Sequence, residues 1–475
     1  MGKTLKVVLA GLVALFYLAG LVCSIDAVMT SRTSAGAIAW TFSLLTVPFV
    51  AVPAYAVFGQ SKFEGSLEAY QESKTAIDEL IAESRSNLEP WNVRDEGRAS
   101  AYKAIRELSH MDLTRGNDVE LLIDGQDTFD SIVDGIGKAK EYVLVQFYMF
   151  HDDGLGRRMQ QAMIERAKAG VRVYMLYDEV GSGGLPEAYV EALRSAGVEV
   201  SSFKPTQGNR FQLNFRNHRK MVVVDGTTGW VGGHNVGDEY LGLDPEFTPW
   251  RDTHVRLEGP VVTQLQATIV GDWYWATREL PELNWVPRAA VGHDVEAMII
   301  PSAPTQRLET AGLFFVNALH SAKERVWLSA PYFVPDEAVM KALQLAALRG
   351  VDVRIITPGK GDSLPVYMAA FHYMSQLGGL GIKFYSYAPG FLHEKVMLVD
   401  DSVSTVGTAN FDNRSFRLNF EVTALIVDEA FAQQMERMFE RDFAHAEIID
   451  VEGLKDKPFL WRLGVNVSRL AAPVL

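Results

Sequence analysis

The chain has 475 residues, 48% of them hydrophobic, enough for two domains of ordinary size plus a smaller part and too many for one core. A formal net charge of −14 argues against a general nucleic-acid binder, which neutralises phosphates with a basic surface, so any anionic substrate must be held by local charge. Cys23, the only cysteine, can close no internal disulfide and suits a catalytic part that faces a reducing compartment.

From Val7 to Ile25 there is no charged residue, and Ala35 to Phe58 is a second uncharged run, interrupted by Pro48 and Pro53. Each is long enough to cross a bilayer as a helix, which predicts a membrane hairpin over residues 1–60. A cleaved signal peptide fits less well, because the first run is long and a second follows at once. The bulky Val22 before Cys23 speaks against a lipid-modified cysteine and leaves Cys23 as a small packing residue. Lys3 and Lys6 before the first run and Lys62 after the second, against Arg32 between them, place both ends and the following body in the cytoplasm. Residues 61–117 are polar, rich in Glu and Lys with scattered Leu and Ile, and read as a helical connector.

Two similar halves follow, 118–295 and 296–475. In the first, "YVLVQFYMF" (Tyr142 to Phe150) leads through a helical stretch ending near Gly170 to "VRVYMLYD" (Val171 to Asp178). In the second, "RVWLSAPYF" (Arg325 to Phe333) leads through a helical stretch ending near Gly350 to "VDVRIITP" (Val351 to Pro358). Apolar strands alternating with helices indicate an α/β sheet buried on both faces. Each half then carries one pattern, "HRKMVVVD" from His218 and "HEKVMLVD" from His393. In both, Lys comes two residues after the His, Asp at seven, Gly at fourteen and Asn at seventeen: Lys220, Asp225, Gly232 and Asn235, then Lys395, Asp400, Gly407 and Asn410.

His and Lys two apart on a strand share a face. The midpoint between His and Asn falls in the turn-like Asp-Gly and Asp-Asp segments, so the Asn is expected opposite the His on the returning strand. Asp225 and Asp400 have the other parity and lie at the turn, where they read as hairpin-stabilising residues even though they belong to the repeated motif. If the two hairpins meet face to face, one pocket receives two imidazoles, two ammonium groups and two amides. Such a set suits a phosphodiester, whose charge must be neutralised before a nucleophile can approach and whose departing oxygen needs a proton. One His attacks phosphorus while the other protonates the leaving alcohol, Lys220, Lys395, Asn235 and Asn410 hold the nonbridging oxygens, and no metal or cofactor is required. A working His also needs its second ring nitrogen oriented. The candidates are Asp252, 34 residues after His218, and Glu421, 28 residues after His393, each at the start of the next apolar strand.

The doubled H-x-K-x4-D followed by G-x-x-N resembles the phospholipase D superfamily. Within it, "GTANFDNRSFRLNFE", "GGHNVGDEYLG" and "WRDTHVRLEGP" are similar to the bacterial cardiolipin synthase family over nearly the whole chain, paired N-terminal spans included. The resemblance implies two pseudosymmetric α/β/α sandwich halves behind a two-helix membrane hairpin. It implies transfer of a phosphatidyl group from one phosphatidylglycerol to another, giving cardiolipin and glycerol through a phosphohistidine. By position it makes His218 and His393 the catalytic pair, within the motif sets His218/Lys220/Asp225 and His393/Lys395/Asp400, with Asn235 and Asn410 on the phosphate. His218 is assigned as nucleophile and His393 as acid and base. The implied partners are phosphatidylglycerol and membrane lipids, not nucleic acid.

His151, His234, His254 and His372 read as structural or surface histidines, the alternative for His234, which adjoins Asn235, being to line the pocket. Arg414 and Arg417 either meet a lipid headgroup or pair with nearby acids. The C-terminal "WRLGVNVSRLAAPVL" either packs on the body or lies on the bilayer surface. Three other functions compete: a hydrolase releasing phosphatidic acid from the same residues, an endonuclease disfavoured by the acidic charge and membrane runs, and a noncatalytic scaffold disfavoured by two complete motifs.

Overall fold

The computed structural model describes residues 3–59, 84–94, 97, 102–204 and 214–474. Two compact units divide the chain: Met1–Gln71 with Pro205–Phe215, and Glu72–Lys204 with Arg216–Leu475.

In the first unit Lys3–Thr30 is a single helix of 28 residues, long and apolar enough to cross a membrane. The second apolar run is not one helix. It forms Ser34–Thr46 and Pro48–Phe58, broken at Val47, whose backbone sits at φ −131° and ψ 57°. Pro48 supplies the break: it has no N–H for the helical ladder, and its ring pushes the preceding residue out of the helical region. The pieces still pack on the first helix. A Cβ on Gly20 would lie 2.4 Å from the Leu44 carbonyl oxygen. Phe16 and Phe49 approach to 5.2 Å between ring centroids, and the Tyr55 hydroxyl donates to Asp26 at 2.8 Å. Cys23 packs against the cluster of Ala27, Leu44, Ala51 and Tyr55, as its size suggests.

Much of the connector expected over 61–117 (residues 61–83, 95–96 and 98–101) lies outside the described residues. The described part holds the helix Lys103–Ser109, and the first strand already begins at Thr114. Ten strands then build the first half and its border: β1 Thr114–Ile123, β2 Tyr142–Phe147, β3 Arg172–Asp178, β4 Glu199–Phe203, β5 Arg216–Asn217, β6 Met221–Val224, β7 Thr228–Gly232, β8 Trp250–Arg251, β9 Thr253–Glu258 and β10 Val295–Ser302. The second half continues with β11 Arg325–Ser329, β12 Phe333–Val334, β13 Asp352–Pro358, β14 Lys383–Tyr387, β15 Phe391–Leu392, β16 Val396–Val399, β17 Val403–Gly407, β18 Phe411–Asp412, β19 Asn419–Val427 and β20 Ala446–Ile448.

One sheet runs through both halves in the order β20-β14-β13-β11-β16-β17-β19-β10-β1-β9-β7-β6-β2-β3-β4. The order repeats about the β10–β1 boundary, so the two halves are related by pseudosymmetry within one mixed sheet. Every residue of β2 is buried, as both-face coverage requires. On one face a single core joins the halves, from Val119, Leu144 and Val255 to Ile299, Trp327 and Leu398. On the other face each half keeps its own core, around Phe129 and Met159 in the first and around Phe314 and Leu343 in the second.

The hairpin register differs from the expectation by one residue. β6 pairs Val224 with Thr228 and Met221 with Val231, leaving a three-residue turn of Asp225, Gly226 and Thr227. Likewise β16 pairs Val399 with Val403 and Val396 with Val406. Both ladders end before the His, and their continuation sets His218 across from His234, not Asn235. The reason lies in the turn: Asp225 and Asp400 adopt φ of 52° and 50°, a left-handed conformation that Asp tolerates and that adds a residue to the loop.

Candidate active site

The two histidines are held by backbone pairing between the halves. β5 pairs in parallel with β19, Asn217 beside Phe420, and the next residue, His218, donates its N–H to the Phe420 carbonyl at 3.0 Å. β15 pairs in parallel with β8, Leu392 beside Arg251, and His393 donates to the Arg251 carbonyl at 2.8 Å. Each His is therefore flanked by the residue that follows its partner strand position in the opposite half. The carboxylates cross accordingly. His218 Nδ1 meets both Glu421 oxygens at 3.0 Å, and His393 Nδ1 meets Asp252 Oδ2 at 2.7 Å. The sequence had offered Asp252 and Glu421 within their own halves, and the cross-half ladders explain the exchange.

Both carboxylates are buried. Glu421 also accepts from the Thr408 hydroxyl at 2.6 Å, the Ser415 hydroxyl at 2.8 Å and Asn419 Nδ2 at 3.0 Å. Asp252 accepts from the Thr253 N–H at 2.8 Å. Its surroundings differ because Gly233 stands where the second half has Thr408, and a Cβ on Gly233 would lie 2.0 Å from Asp252 Oδ1.

Lys220 and Lys395 are buried beside the histidines. Lys220 Nζ donates to the carbonyl of His218 at 2.6 Å, and Lys395 Nζ donates likewise to that of His393. One ammonium proton of each is thus committed and two remain. The Tyr148 ring lies 5.4 Å from Lys220 Nζ and 5.0 Å from the His218 ring. Trp250 and Phe391 wall the His393 ring at 5.1 and 5.8 Å.

Burial and mutual repulsion hold the whole cationic set toward neutrality. Burial, then Lys220 and Lys395, pulls His218 down to about 4 against the opposing pull of Glu421. His393 is held well below the usual imidazole range by burial and by Lys395, Lys220 and His218. Burial brings Lys220 down to about 7 and Lys395 to about 8. Glu421 moves the other way: burial raises it, but His218, Lys220 and the Thr408 hydroxyl outweigh that and leave it below the usual carboxylate range. The cross-half backbone bonds and carboxylate contacts bring the two motifs together, and each His is lowered by the other half's lysine as well as its own. An anion bound beside these groups would restore charge to the lysines and histidines.

A family model described as "Cardiolipin synthase, PLD-like domain" matches residues 132–273 and 315–443, one segment in each half. Cardiolipin synthase A of Pseudomonas putida (strain GB-1) is 47% identical over 471 residues, covering 98% of both chains. Cardiolipin synthase A of Pseudomonas fluorescens (strain Pf-5) is also 47% identical over 471 residues with the same coverage. The chain belongs to the cardiolipin synthase family. Among solved structures, phosphatidylserine synthase of Haemophilus influenzae Rd KW20 has a TM-score of 0.60 at 14% identity, covering 79% of this chain and all of that one, a likeness of fold.

Within this cardiolipin synthase fold, Asp225 and Asp400 do not join the pocket, and their place in the catalytic set is corrected. The Asp225 carboxylate accepts from the N–H groups of Lys140, Glu141 and Tyr142 at 2.8, 2.8 and 2.9 Å. Asp400 takes those of Lys323, Glu324 and Arg325 at 3.1, 2.8 and 3.1 Å. Both tie the hairpin turn to the start of a parallel strand, β2 or β11, as their parity indicates. Asn235 is internally engaged: its Oδ1 accepts from Met149 N–H at 3.2 Å and its Nδ2 donates to the Tyr240 hydroxyl at 2.8 Å. Asn410 Oδ1 is buried without a partner among the described residues, so the two amides are not equivalent.

The spacing of the motif does not single out the residue between His and Lys. Arg219 reaches Asp272 at 2.6 Å, the Glu421 carbonyl at 3.0 Å and the Ser302 carbonyl at 3.0 Å. Its counterpart Glu394 is acidic and meets Arg251, whose Nε and Nη2 also donate to the two Asp442 oxygens at 2.9 Å each. The signal was present in the alternation of basic and acidic residues at one position of the repeat. Arg417 settles as structural, bridging Glu309 at 2.9 Å and Asp336 at 2.8 Å. For Arg414, burial and Arg216 lower the pKa, while Asp412, Tyr148 and Glu421 oppose them. His234 and His254 are fully buried and face each other, Nδ1 to Nδ1, at 3.0 Å. Among the described residues one group could hold a metal by proximity, His151, Asp153 and Glu239, with ligand atoms within 4.8 Å of one another. Its Asp153 already caps the helix Gly154–Lys168 through the Gly156 N–H and accepts from the Asp238 N–H at 2.7 Å.

Proposed function

We propose that this phosphatidyltransferase moves a phosphatidyl group from one phosphatidylglycerol to the terminal hydroxyl of a second, through a phosphohistidine on His218. The observation that carries the reading is the pair of crossed His–carboxylate contacts inside one buried cationic pocket. In the first step the neutral Nε2 of His218 attacks phosphorus, the bond to glycerol breaks, and His393 gives its Nε2 proton to the departing oxygen. Glu421 stabilises the positive charge that forms on the His218 ring as the N–P bond closes. In the second step His393 takes the proton of the incoming lipid alcohol, that oxygen attacks phosphorus, and the P–N bond breaks to free His218. The phosphate charge itself raises the pKa of His393 and so supplies the acid. Lys220 and Lys395 face the nonbridging oxygens with their uncommitted protons, and Asn410 is the better placed of the two amides to join them. The apolar N-terminal helices anchor the body on the membrane as a multi-pass hairpin with its catalytic part in the cytoplasm, a reading that rests on Lys3, Lys6 and Lys62 against Arg32. Vesicles of phosphatidylglycerol should yield cardiolipin and glycerol in equal amounts, quantified by mass spectrometry, and added glycerol should reverse the reaction. Phosphatidic acid as the main product, with no inhibition by glycerol, would leave a hydrolase instead.

A further inference from the structure

The C-terminal helix Phe459–Arg469 has two apolar faces where packing on the body accounts for one. Its inner face meets the helix Leu364–Gln376: Trp461 lies 5.3 Å from Phe371 between ring centroids, Val465 is 5% exposed, and Gly464 stands against Met368. On the opposite side Leu460, Leu463, Val467 and Leu470 recur at three- and four-residue spacing, joined by Phe459. These five side chains are 47% to 78% exposed, Leu463 least and Leu460 most. Successive residues on a helix turn by about 100°, so the stripe spans roughly that arc and points away from the inner face. Beside it runs a polar line of Arg462, Asn466 and Arg469. From Lys457 to Leu470 the chain carries three cations and no acid, in a protein of net charge −14.

We infer that this outward stripe is an interfacial membrane-binding face, lying in the plane of a bilayer that contains anionic phospholipid. An apolar face flanked by arginines is the pattern of a helix that rests at the headgroup boundary, its aliphatic side chains below and its cations among the phosphates. Charge complementarity selects the occupant: the local excess of cations suits an anionic lipid surface and opposes a second copy of this segment, which would bring the same cations face to face. The chain also carries a helix long and apolar enough to cross a membrane, which would keep a bilayer within reach of the polypeptide. The inference stands independently of the transfer chemistry.

The test uses the full chain in vesicles of phosphatidylglycerol and phosphatidylethanolamine, with Cys23→Ser and a single bimane-labelled cysteine. Labels at Leu463→Cys and Val467→Cys replace exposed side chains, and Gln161→Cys on the polar face of another helix serves as the aqueous reference. Nitroxide-bearing phospholipid should quench the labels at 463 and 467 at least twofold more than the reference, and iodide should quench the reference in preference. Quenching of 463 and 467 by iodide to the extent seen at 161 would put the face in water and overturn the inference. Protection from both quenchers would show a protein cover and overturn it equally. Arg462→Glu with Arg469→Glu should reduce lipid quenching at 463 in these vesicles and not in phosphatidylcholine alone; an unchanged value would remove the anionic-lipid requirement.

Discussion

The crossed carboxylates make a prediction that a same-half arrangement does not. Glu421→Gln keeps the volume of a fully buried side chain and one acceptor oxygen for His218, while Thr408 and Ser415 can turn to accept from the new amide. What is lost is the negative charge 3.0 Å from Nδ1 of His218. At an effective dielectric constant of about 20 that charge is worth roughly 5.5 kcal/mol to the developing imidazolium. At about 1.4 kcal/mol per decade this sets a loss of about 10³- to 10⁴-fold in attack at phosphorus, the range seen when the Asp of a Ser-His-Asp triad loses its charge. The assay is rapid mixing with phosphatidyl-p-nitrophenol, whose leaving group departs without a proton. The first turnover then needs only the nucleophile and its orienting group. Wild-type enzyme should release nitrophenolate in a burst equal to the enzyme. His393→Ala and Asp252→Asn should retain the burst and stall before the second alcohol, whereas His218→Ala and Glu421→Gln should lose it. Should the two histidines exchange roles, both carboxylates exchange with them, so the grouping remains a clean test of the crossing. Glu421→Gln behaving like His393→Ala while Asp252→Asn behaves like His218→Ala would refute it.

The lysines predict a pH dependence: an ammonium is charged below its pKa, so kcat/KM should fall as pH rises through about 7 to 8, where Lys220 and Lys395 discharge in the free enzyme. Lys220→Arg, charged throughout, should remove the lower inflection of a profile measured on phosphatidylglycerol vesicles. Asp225→Ala and Asp400→Ala strip the acceptor from three N–H groups each and should cost about 2 kcal/mol of stability in thermal or denaturant unfolding. The enzyme that remains folded should keep its turnover within about twofold, since neither carboxylate reaches the pocket. In intact spheroplasts the catalytic body should resist external protease and become cleavable once the membrane is opened; digestion in sealed spheroplasts would invert the hairpin.

What the sequence displayed and what it concealed divide along the range of the interaction. The repeat, the strand–helix–strand order and the His/Lys sets are local patterns, and β2, β3, β11 and β13 fall within the stretches that apolar runs mark out. The parity of Asp225 also indicated its turn role correctly. The break at Val47 is written in Pro48, which a count of uncharged residues does not weigh. The register missed by one because a left-handed Asp lengthens the turn, a choice that spacing alone does not display. The crossing was hidden for a different reason: β5, β8 and β15 are two residues long, and their partners lie across the pseudosymmetry boundary. No periodicity develops over two residues, so the segments that aim both histidines carry almost no sequence signal.

The same short strands explain why the two halves must act as one enzyme. A half alone has its His and Lys, but the carboxylate in its own sequence is built against the other imidazole. It would also leave the His-bearing segment without its strand partner, since β5 needs β19 and β15 needs β8. Union then permits unlike roles. Glu421 is gripped by two hydroxyls and an amide and faces His218 with both oxygens, whereas Asp252 offers one oxygen to His393 above a glycine that leaves room for it. The position between His and Lys is Arg219 in one half and Glu394 in the other, so the buried groups behind the pocket are also unlike. Two identical imidazoles would compete for one proton. Two differently supported imidazoles can hold opposite protonation states around the same phosphate, which is what nucleophile and acid require.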